Sequence, residues 1–270
     1  MSLLARPVVR LGLLVALVAA AHGYSVTSGL WLDDHLHWQS LRKAGWNYRD
    51  LVRASTLDNN TTHSHVWGTM DHGLRFYRPV AFGLMKAQYA LVNWRPGPMH
   101  VLSLAWHVAA AMLVGSLVSR LLNDGRAGTF AAVLFAVFPN HVATVYWIAC
   151  QTELIVTCLV LAAVLGYGGW AGWFGGVGPP SRVLHLLAAL LAFTLALGCR
   201  ENAIVLPGIL IAGDLLAGRA RHWRRHIPAW LALAGLAGVY LVLRRLALGG
   251  MAWPPRPYLT YPSDPEFLAF

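Results

Sequence analysis

Long apolar stretches alternate with short polar breaks along the chain, and most of the stretches are long enough to cross a membrane. A membrane-spanning helix needs about 20 mostly apolar residues. The first stretch, 11–32, contains no charged residue, and the long region after residue 127 is broken at Pro139 and again by a run rich in glycine and proline. The pattern therefore predicts seven spans, near residues 11–32, 99–119, 127–142, 144–168, 182–199, 202–217 and 227–247.

Composition agrees with a membrane protein. Hydrophobic residues make up 57% of the 270 residues and charged residues 12%, whereas soluble domains carry roughly 25% charged residues. This excludes a disordered chain and argues against a soluble enzyme. The formal net charge is +10 at pH 7. Because the arginines lie between apolar runs and form no single basic stripe, we expect the lipid bilayer as a partner and no nucleic acid.

The distribution of arginine predicts the orientation. Short cytoplasmic loops are enriched in Lys and Arg, and a cytoplasmic N-terminus places most of the short-loop arginines inside. Segment 33–98 then forms a large first extracytoplasmic loop, and long loops translocate largely regardless of charge. We expect a multi-pass protein of the inner (plasma) membrane. Four arginines fall on or near the outer side, against the rule: Arg200, Arg244, Arg245 and Arg256.

The N-terminal stretch has a second interpretation. Arg6 and Arg10, the apolar run and the small residues 19–21 also fit a cleavable signal peptide. The apolar run continues to Leu32, which is longer than a signal core and favours an uncleaved span. Either interpretation places Asp33 outside the cytoplasm.

The outer loop is predicted to contain short helices over 34–41 and 48–57, and an amphipathic helix over 78–94. One face of this last helix is apolar, which suits a helix lying on the membrane surface; a short additional span is the alternative. The apolar face comprises Val80, Leu84, Ala87 and Leu91, with Lys86 and Gln88 away from it.

Two adjacent carboxylates, Asp33 and Asp34, lie where the first span leaves the membrane. Ionisable residues at such a boundary are candidates for a functional site. A carboxylate there can act as a general base, and a neighbouring acid can raise its pKa or orient it. The alternative is that one of them caps the helix that follows.

Positive charges are the second candidate group. Arg78 precedes Pro79, a residue suited to the first turn of a helix, and its guanidinium could hold a phosphate through two hydrogen bonds. Arg200 and Glu201 lie together between two spans. The alternatives are contacts with lipid headgroups, a structural ion pair and side chains that extend to the interface. Two further arginines lie near the end of the last span, Arg244 and Arg245.

Polar residues within the spans form the third group. His100, Ser103 and His107 share one face of the second span. His141 follows the break at Pro139, and Glu153 lies a few turns inside the next span, where a carboxylate needs a partner or a wet cavity. Polar contacts between helices are the alternative. No metal site is predicted: a divalent metal is possible but unsupported, and the spacing of His63, His65, Asp71 and His72 matches no strong motif.

Three runs carry a resemblance to a known family. The run 77–122 has the form YRP, an amphipathic helix and then P-x-H-x-x-S-x-x-x-H. The second run is LFAVFPNHVATVYWIACQTELIV and the third is GCRENAIVLPGILIAGDLL. Together with the outer Asp pair they resemble the membrane half of the tetratricopeptide-repeat-containing O-mannosyltransferases, and more widely the GT-C class of polyprenyl-phosphate-sugar glycosyltransferases. The resemblance covers about 31–270.

The resemblance implies an all-α, GT-C-like membrane fold with its active site on the extracytoplasmic side. A mannose-like sugar would move from a polyprenyl-phosphate carrier to an acceptor hydroxyl of a protein Ser or Thr, or of a glycan, with inversion. Asp33 would be the base, supported by Asp34. The remaining candidates would bind the carrier phosphate or the substrates: Arg78, His100, His107, His141, Glu153, Arg200, Glu201, Arg244 and Arg245.

The chain departs from the family pattern in three respects. Arg200 replaces a Lys, and Cys150-Gln151 replaces Gly-Arg. The family also has further spans, so we expect 1–270 to be a single membrane domain, the N-terminal part of a GT-C module that is incomplete at its C-terminus. The alternative function is a non-catalytic protein, such as a carrier-binding subunit or transporter, or an inactive fragment. The outer Asp pair favours the enzyme, since transporters place paired charges near mid-membrane.

Overall fold

The computed structural model describes residues 7–57, 74–175, 179–216 and 223–248. Regular structure in these ranges is helical except for a two-residue antiparallel pair, β1 (Thr56–Leu57) with β2 (Leu74–Arg75). The helices are α1 (Pro7–His22), α2 (Asp34–Lys43), α3 (Tyr48–Ala54), α4 (Pro79–Leu91), α5 (Pro96–Leu121), α6 (Gly125–Val137), α7 (Val142–Tyr146), α8 (Gln151–Ala171), α9 (Pro179–Cys199), α10 (Leu206–Leu216) and α11 (Ile227–Leu248).

The described residues contain five helices that are long and apolar enough to cross a membrane, or up to six if a bent pair counts as one. The bent pair joins Gly125–Val137 to Pro139–Tyr146 at 51°. Pro139 explains the bend, because proline offers no backbone N–H to continue the helix. The five are Val8–Thr27, Pro96–Leu121, Ile148–Ala171, Ser181–Cys199 and Ile227–Leu248. The all-α, multi-pass architecture agrees with the prediction.

The predicted span near 202–217 takes a shorter form than expected. A 3₁₀ turn, Glu201–Val205, leads into α10. Arg200, which precedes this turn, forms an ion pair with Glu153 in the first turn of α8. Asp214, near the end of α10, accepts a hydrogen bond from Tyr167 near the end of α8. Those two α8 residues are separated by a rise of about 21 Å. The segment therefore runs along most of α8 although it is too short to count among the candidate spans.

Helices α1, α5 and α6 pack into one cluster through small side chains. Gly115 and Gly128 face each other so closely that a methyl group on Gly128 would overlap Ser119; such small residues let membrane helices approach. Arg10 of α1 is buried and joins the three helices: it donates to Thr129 Oγ1 of α6 at 3.2 Å and to Ser119 Oγ of α5 at 3.3 Å. Leu14 and Val18 of α1 complete the cluster.

A second polar network lies at the opposite end of α8 from Glu153. The Asp214 carboxylate accepts from Tyr167 Oη at 2.5 Å, from His226 Nδ1 at 2.8 Å and from Trp173 Nε1 at 2.8 Å. Trp230 Nε1 donates to Tyr167 Oη at 2.8 Å. These hydrogen bonds pair the buried Asp214 carboxylate and hold α8, α10 and α11 together, which is a structural role.

Helix α4 buries the side opposite to its predicted apolar face. Its buried residues include Phe82, Met85 and Tyr89, whereas Ala87 is exposed and Leu91 is 78% exposed. Lys86 is also buried, where its ammonium group donates to the carbonyl oxygens of Leu41 at 2.7 Å and Ala44 at 2.6 Å, at the C-terminal end of α2. A cation there is favourable because it satisfies free carbonyls. Val80 and Leu84 of the predicted apolar face pack partly against the core, so only the C-terminal part of that face is exposed.

Candidate active site

Asp34 fixes the start of α2 to a distant part of the chain. Its Oδ2 accepts from the Trp31 backbone N–H at 3.0 Å, and its Oδ1 accepts from the Ala149 backbone N–H at 2.6 Å. The side chain is fully buried. Burial raises the pKa of Asp34 to about 6, although the two backbone hydrogen bonds oppose the rise. Asp34 therefore serves as the anchor that joins the Trp31–Asp34 turn to the 3₁₀ turn Ile148–Cys150.

Leu32 makes this turn possible and was not singled out from the sequence. Its φ is +47°, in the left-handed region. Such a conformation is costly for a residue other than glycine and is typical of functional sites. It reverses the chain between Trp31 and Asp33, so that the Trp31 amide reaches the Asp34 carboxylate.

Asp33 occupies the N-cap position of α2, but its side chain makes no capping hydrogen bond. Oδ1 is buried and has no hydrogen-bond partner among the described residues. Burial raises the pKa of Asp33, and the neighbouring Trp147 side chain lowers it again in part. The geometry thus contradicts the capping alternative for Asp33, and the raised pKa suits a group that accepts a proton.

Arg78 and Glu201 form a two-point ion pair. Arg78 Nε lies 2.9 Å from Glu201 Oε2 and Nη2 lies 3.1 Å from Oε1. The Arg78 guanidinium carbon also lies 3.9 Å from the Phe76 ring centroid. Burial alone would raise the pKa of Glu201, but the hydrogen bonds and charge of Arg78 outweigh it and hold that pKa below its usual range.

Gly198 allows Arg78 to reach this position. Gly198 is the penultimate residue of α9, and a methyl group there would overlap the Val80 side chain. The close contact brings the first turn of α4 against the end of α9. Arg78, which precedes α4, therefore meets Glu201, which follows α9.

Arg200 forms a second pair beside the first. Its Nη2 lies 2.7 Å from Glu153 Oε1, and Nη1 donates to Thr152 Oγ1 at 3.3 Å. Burial and the charge of Arg78 lower the pKa of Arg200. The two arginines are thus close enough to influence each other, although they are far apart in sequence. Glu153 lies in the first turn of α8 and not a few turns inside the span as predicted.

Cys150 connects the carboxylate part of the site to the arginine part. Its thiol lies within electrostatic range of Asp33, Asp34, Arg200 and Glu153. The next residue, Gln151, is fully buried and donates to Ser103 Oγ at 3.1 Å. The position where the family has an arginine therefore contacts α5 here and adds no charge to the site.

The two arginines of the last helix, Arg244 and Arg245, lie in different surroundings. Arg244 Nε is buried without a hydrogen-bond partner in the described part of the chain. Tyr240 lies within electrostatic range of Arg244, and also of Arg78 and Glu201. Arg245 is exposed. The structure thus places Arg244 at the edge of the site and Arg245 outside it.

The three candidate histidines bond backbone carbonyls. His100 Nε2 lies 3.3 Å from the Gly29 oxygen, His107 Nε2 lies 3.0 Å from the Ala136 oxygen, and His141 Nδ1 lies 2.9 Å from the Phe135 oxygen. His22 Nε2 also reaches the Ala136 oxygen, at 3.1 Å. Carbonyls at the end of a helix lack helical partners. These contacts therefore favour the helix-packing interpretation of His107 and His141.

Within the described ranges, no group of three His, Cys, Asp or Glu residues is placed to hold a metal ion. The loop residues His63, His65, Asp71 and His72 lie outside the described residues. The site therefore comprises Asp33, whose Oδ1 has no partner among the described residues, the anchoring Asp34 and two Arg–Glu pairs.

Fold and site together define an all-helical membrane protein with a carboxylate and arginine site at one end of its long helices. Protein O-mannosyl-transferase TMTC3 of Mus musculus is 29% identical over 202 residues, which cover 73% of this chain and 20% of that protein. TMTC3 of Homo sapiens is 27% identical over 188 residues, covering 64% and 20%. TMTC4 of Homo sapiens is 25% identical over 187 residues, covering 63% and 25%. The resemblance inferred from the three motifs is confirmed.

The chain spans about a fifth to a quarter of the length of these curated relatives. No family model matches the chain. No solved structure matches it either.

Proposed function

We propose that this chain carries the site of a membrane glycosyltransferase that moves a mannose-like sugar from a polyprenyl-phosphate carrier to an acceptor hydroxyl. The similarity to proteins named O-mannosyl-transferases supports a glycosyltransferase. The observation that carries the proposal is the Asp33 carboxylate, whose buried Oδ1 has no hydrogen-bond partner in the described part of the chain. Through Cys150 and Arg200 it belongs to the same electrostatic cluster as Arg78. This combination offers a base for the acceptor and positive charge for the leaving phosphate.

Asp33 takes the proton of the acceptor hydroxyl. The acceptor oxygen attacks the anomeric carbon of the sugar from the side opposite to the phosphate, and a new carbon–oxygen bond forms. The bond between the anomeric carbon and the phosphate oxygen breaks, and its electron pair leaves with the polyprenyl phosphate. One displacement of this kind inverts the anomeric carbon. The raised pKa of Asp33 favours acceptance of the proton.

The arginines stabilise the leaving group more than the substrate. A sugar bound through a phosphodiester carries one negative charge, whereas the released phosphate monoester carries about 1.5 to 2 at pH 7. Arg78 and Arg200 therefore interact more strongly with the transition state, where this extra charge develops, than with the bound donor. Glu201 and Glu153 hold the two guanidinium groups in place in the absence of phosphate.

The active site faces the extracytoplasmic side in this proposal, and the acceptor is a protein Ser or Thr. The arginine bias of the short loops supports a cytoplasmic N-terminus. Asp33 then lies outside, at the first exit from the membrane. A protein acceptor fits the names of the relatives.

The test is transfer by the purified chain in liposomes. The donor is a radiolabelled polyprenyl-phosphate mannose, the acceptor is a peptide rich in Ser and Thr, and carrier-lipid crosslinking is measured in parallel. We expect transfer by the parent and a loss of about 10²- to 10⁴-fold for Asp33→Asn. The matched control is Asp124→Asn, since Asp124 is an exposed N-cap of α6 and asparagine caps equally well.

A glycosyltransferase and a non-catalytic carrier-binding protein give different outcomes in these two assays. Crosslinking without transfer in the parent would support a non-catalytic carrier-binding protein, because paired arginines alone suffice to bind a phosphate. Transfer that survives Asp33→Asn at the parental rate would contradict the assignment of Asp33 as base. If the parent showed no crosslinking and no transfer, both functions would be contradicted.

A further inference from the structure

Two buried polar atoms beside each other have no hydrogen-bond partner in the described part of the chain, namely Asp33 Oδ1 and Trp147 Nε1. The Trp147 side chain lies within hydrogen-bonding reach of the Asp33 carboxylate and lowers its pKa, yet within the described residues neither Nε1 nor Oδ1 has a partner in hydrogen-bond geometry. Most buried polar groups in native proteins are paired. A donor and an acceptor that both remain unpaired at the same place point to a ligand.

The structure holds both atoms firmly. Asp34 binds the Ala149 N–H at 2.6 Å, which ties the turn carrying Asp33 to the turn after Trp147. The backbone N–H of Trp147 donates to the Ala143 carbonyl oxygen at 3.0 Å, and the indole ring packs edge-to-face against Trp31 with centroids 5.7 Å apart. Neither group therefore needs to be ordered when a ligand binds.

We propose that Trp147 binds the acceptor: its indole N–H donates to the acceptor hydroxyl oxygen, while that hydroxyl donates its proton to Asp33 Oδ1. The assignment rests on the proposed function. A hydroxyl is the simplest group that both accepts and donates a hydrogen bond, so one acceptor oxygen satisfies both buried atoms.

The pair also selects the chemical class of acceptor. A lysine ammonium donates hydrogen bonds but accepts none, so it would leave the Trp147 N–H unpaired. A neutral alcohol satisfies both groups. As the proton moves to Asp33 and the new bond to the sugar forms, the Trp147 N–H stabilises the negative charge that develops on the acceptor oxygen.

The first experiment measures the proton on Asp33 without substrate. A hydrophobic carbodiimide labels protonated carboxyl groups, and fragment-ion mass spectrometry locates the label on Asp33 across a pH series. Trp147→Phe should move the labelling midpoint to higher pH, because the carboxylate loses a nearby donor that favours its charged form. The control is Trp223→Phe, a half-exposed indole preceding α11, which should leave the midpoint unchanged. An unchanged midpoint in Trp147→Phe would overturn the inference.

The second experiment tests contact with the acceptor oxygen. Three peptides identical except for Ser, O-methylserine or Ala are compared for binding to the chain in nanodiscs. O-methylserine keeps the accepting oxygen but has no proton to give. The parent should bind the O-methylserine peptide more tightly than the alanine peptide, and Trp147→Phe should lose this preference. A preference that Trp147→Phe retains would show that Trp147 contacts only Asp33 and would overturn the proposal.

Transfer separates this inference from the proposed function. Trp147→Phe should lower the rate on the order of 10²-fold with the donor KM unchanged. Parental transfer in Trp147→Phe would contradict the inference and leave the function standing. A labelling shift in a parent that transfers no sugar would contradict the function and leave the Trp147–Asp33 pairing standing. If the parent bound none of the three peptides, the peptide acceptor and the contact of Trp147 with it would both be contradicted.

Discussion

The Asp34 carboxylate accepts a hydrogen bond at 2.6 Å from the backbone N–H of Ala149, a residue 115 positions further along the chain. This bond joins the first exit from the membrane to the start of α8. It also distinguishes two adjacent carboxylates: Asp34 accepts from backbone amides, whereas one oxygen of Asp33 has no partner within the described ranges. The chemistry of the site follows from that difference.

The first prediction concerns stability and pH. Because burial raises the pKa of Asp34 from 3.8 to about 6 in the folded protein, the folded state holds its proton more tightly than the unfolded state. This contribution is fully present below pH 3.8 and is lost as pH rises through about 6. It amounts to roughly 3 kcal/mol.

Thermal unfolding in detergent from pH 4 to pH 7 measures this effect. Asp34→Asn, which cannot ionise, should flatten the pH dependence. It should also lower the Tm at pH 4, since its amide nitrogen cannot accept one of the two backbone N–H groups. Equal slopes in parent and variant would assign the pH dependence to other groups.

The second prediction concerns the two arginines. Arg78→Gln and Arg200→Gln should each weaken photo-crosslinking of a polyprenyl-phosphate lipid by about 10- to 100-fold, since a hydrogen bond to a charged group contributes about 1.5–3 kcal/mol. Arg245→Gln is the matched control, because Arg245 is exposed on α11. Parental crosslinking in both site variants would leave these residues as structural ion pairs.

The third prediction concerns the approach of α4 to α9. Gly198→Val should push Val80 away and separate Arg78 from Glu201, so carrier crosslinking should fall as in Arg78→Gln. Gly208→Val is the control, since no described residue has an atom within 4 Å of a methyl group at Gly208 in α10. If both valine variants crosslink at the parental level, the close packing at Gly198 does not position the site.

The fourth prediction concerns topology. In a chain whose Cys150 is replaced by Ser, Ser40→Cys should react with an impermeant thiol reagent in intact cells. Asn123→Cys, at the turn between α5 and α6, should react only after lysis. The reverse pattern would place the site in the cytoplasm and contradict a periplasmic transfer reaction.

The sequence was sufficient for the all-helical, multi-pass architecture, because long apolar runs are a local property. The partition of roles between Asp33 and Asp34 was not predictable, since it depends on a backbone amide 115 residues away. The division of the predicted span near 202–217 into a 3₁₀ turn and α10 was also not predictable. Its apolar residues resemble a span, but the 3₁₀ turn Glu201–Val205 supplies part of its length.

The role of Trp147 was also not predictable from the sequence. It lies inside the most specific motif, yet an aromatic residue near a membrane surface is also common in interfacial belts. Only its position beside Asp33 gives it a candidate role. The burial of Lys86 was hidden for a related reason, because the C-terminal carbonyls of α2 that it bonds belong to a different part of the chain.

The last prediction concerns catalysis and pH. Asp33 must be ionised to accept the acceptor proton, and burial raises its pKa above the usual 3.8. The rate kcat/KM should therefore fall as pH decreases through that raised pKa, with a midpoint above 3.8. Unfolding linked to Asp34 cannot cause this loss, because the Asp34 contribution makes the folded state more stable at low pH. Asp33→Asn should be slow throughout and should lack this acidic limb. A parental rate that stays constant down to pH 4 would mean that a different group takes the proton.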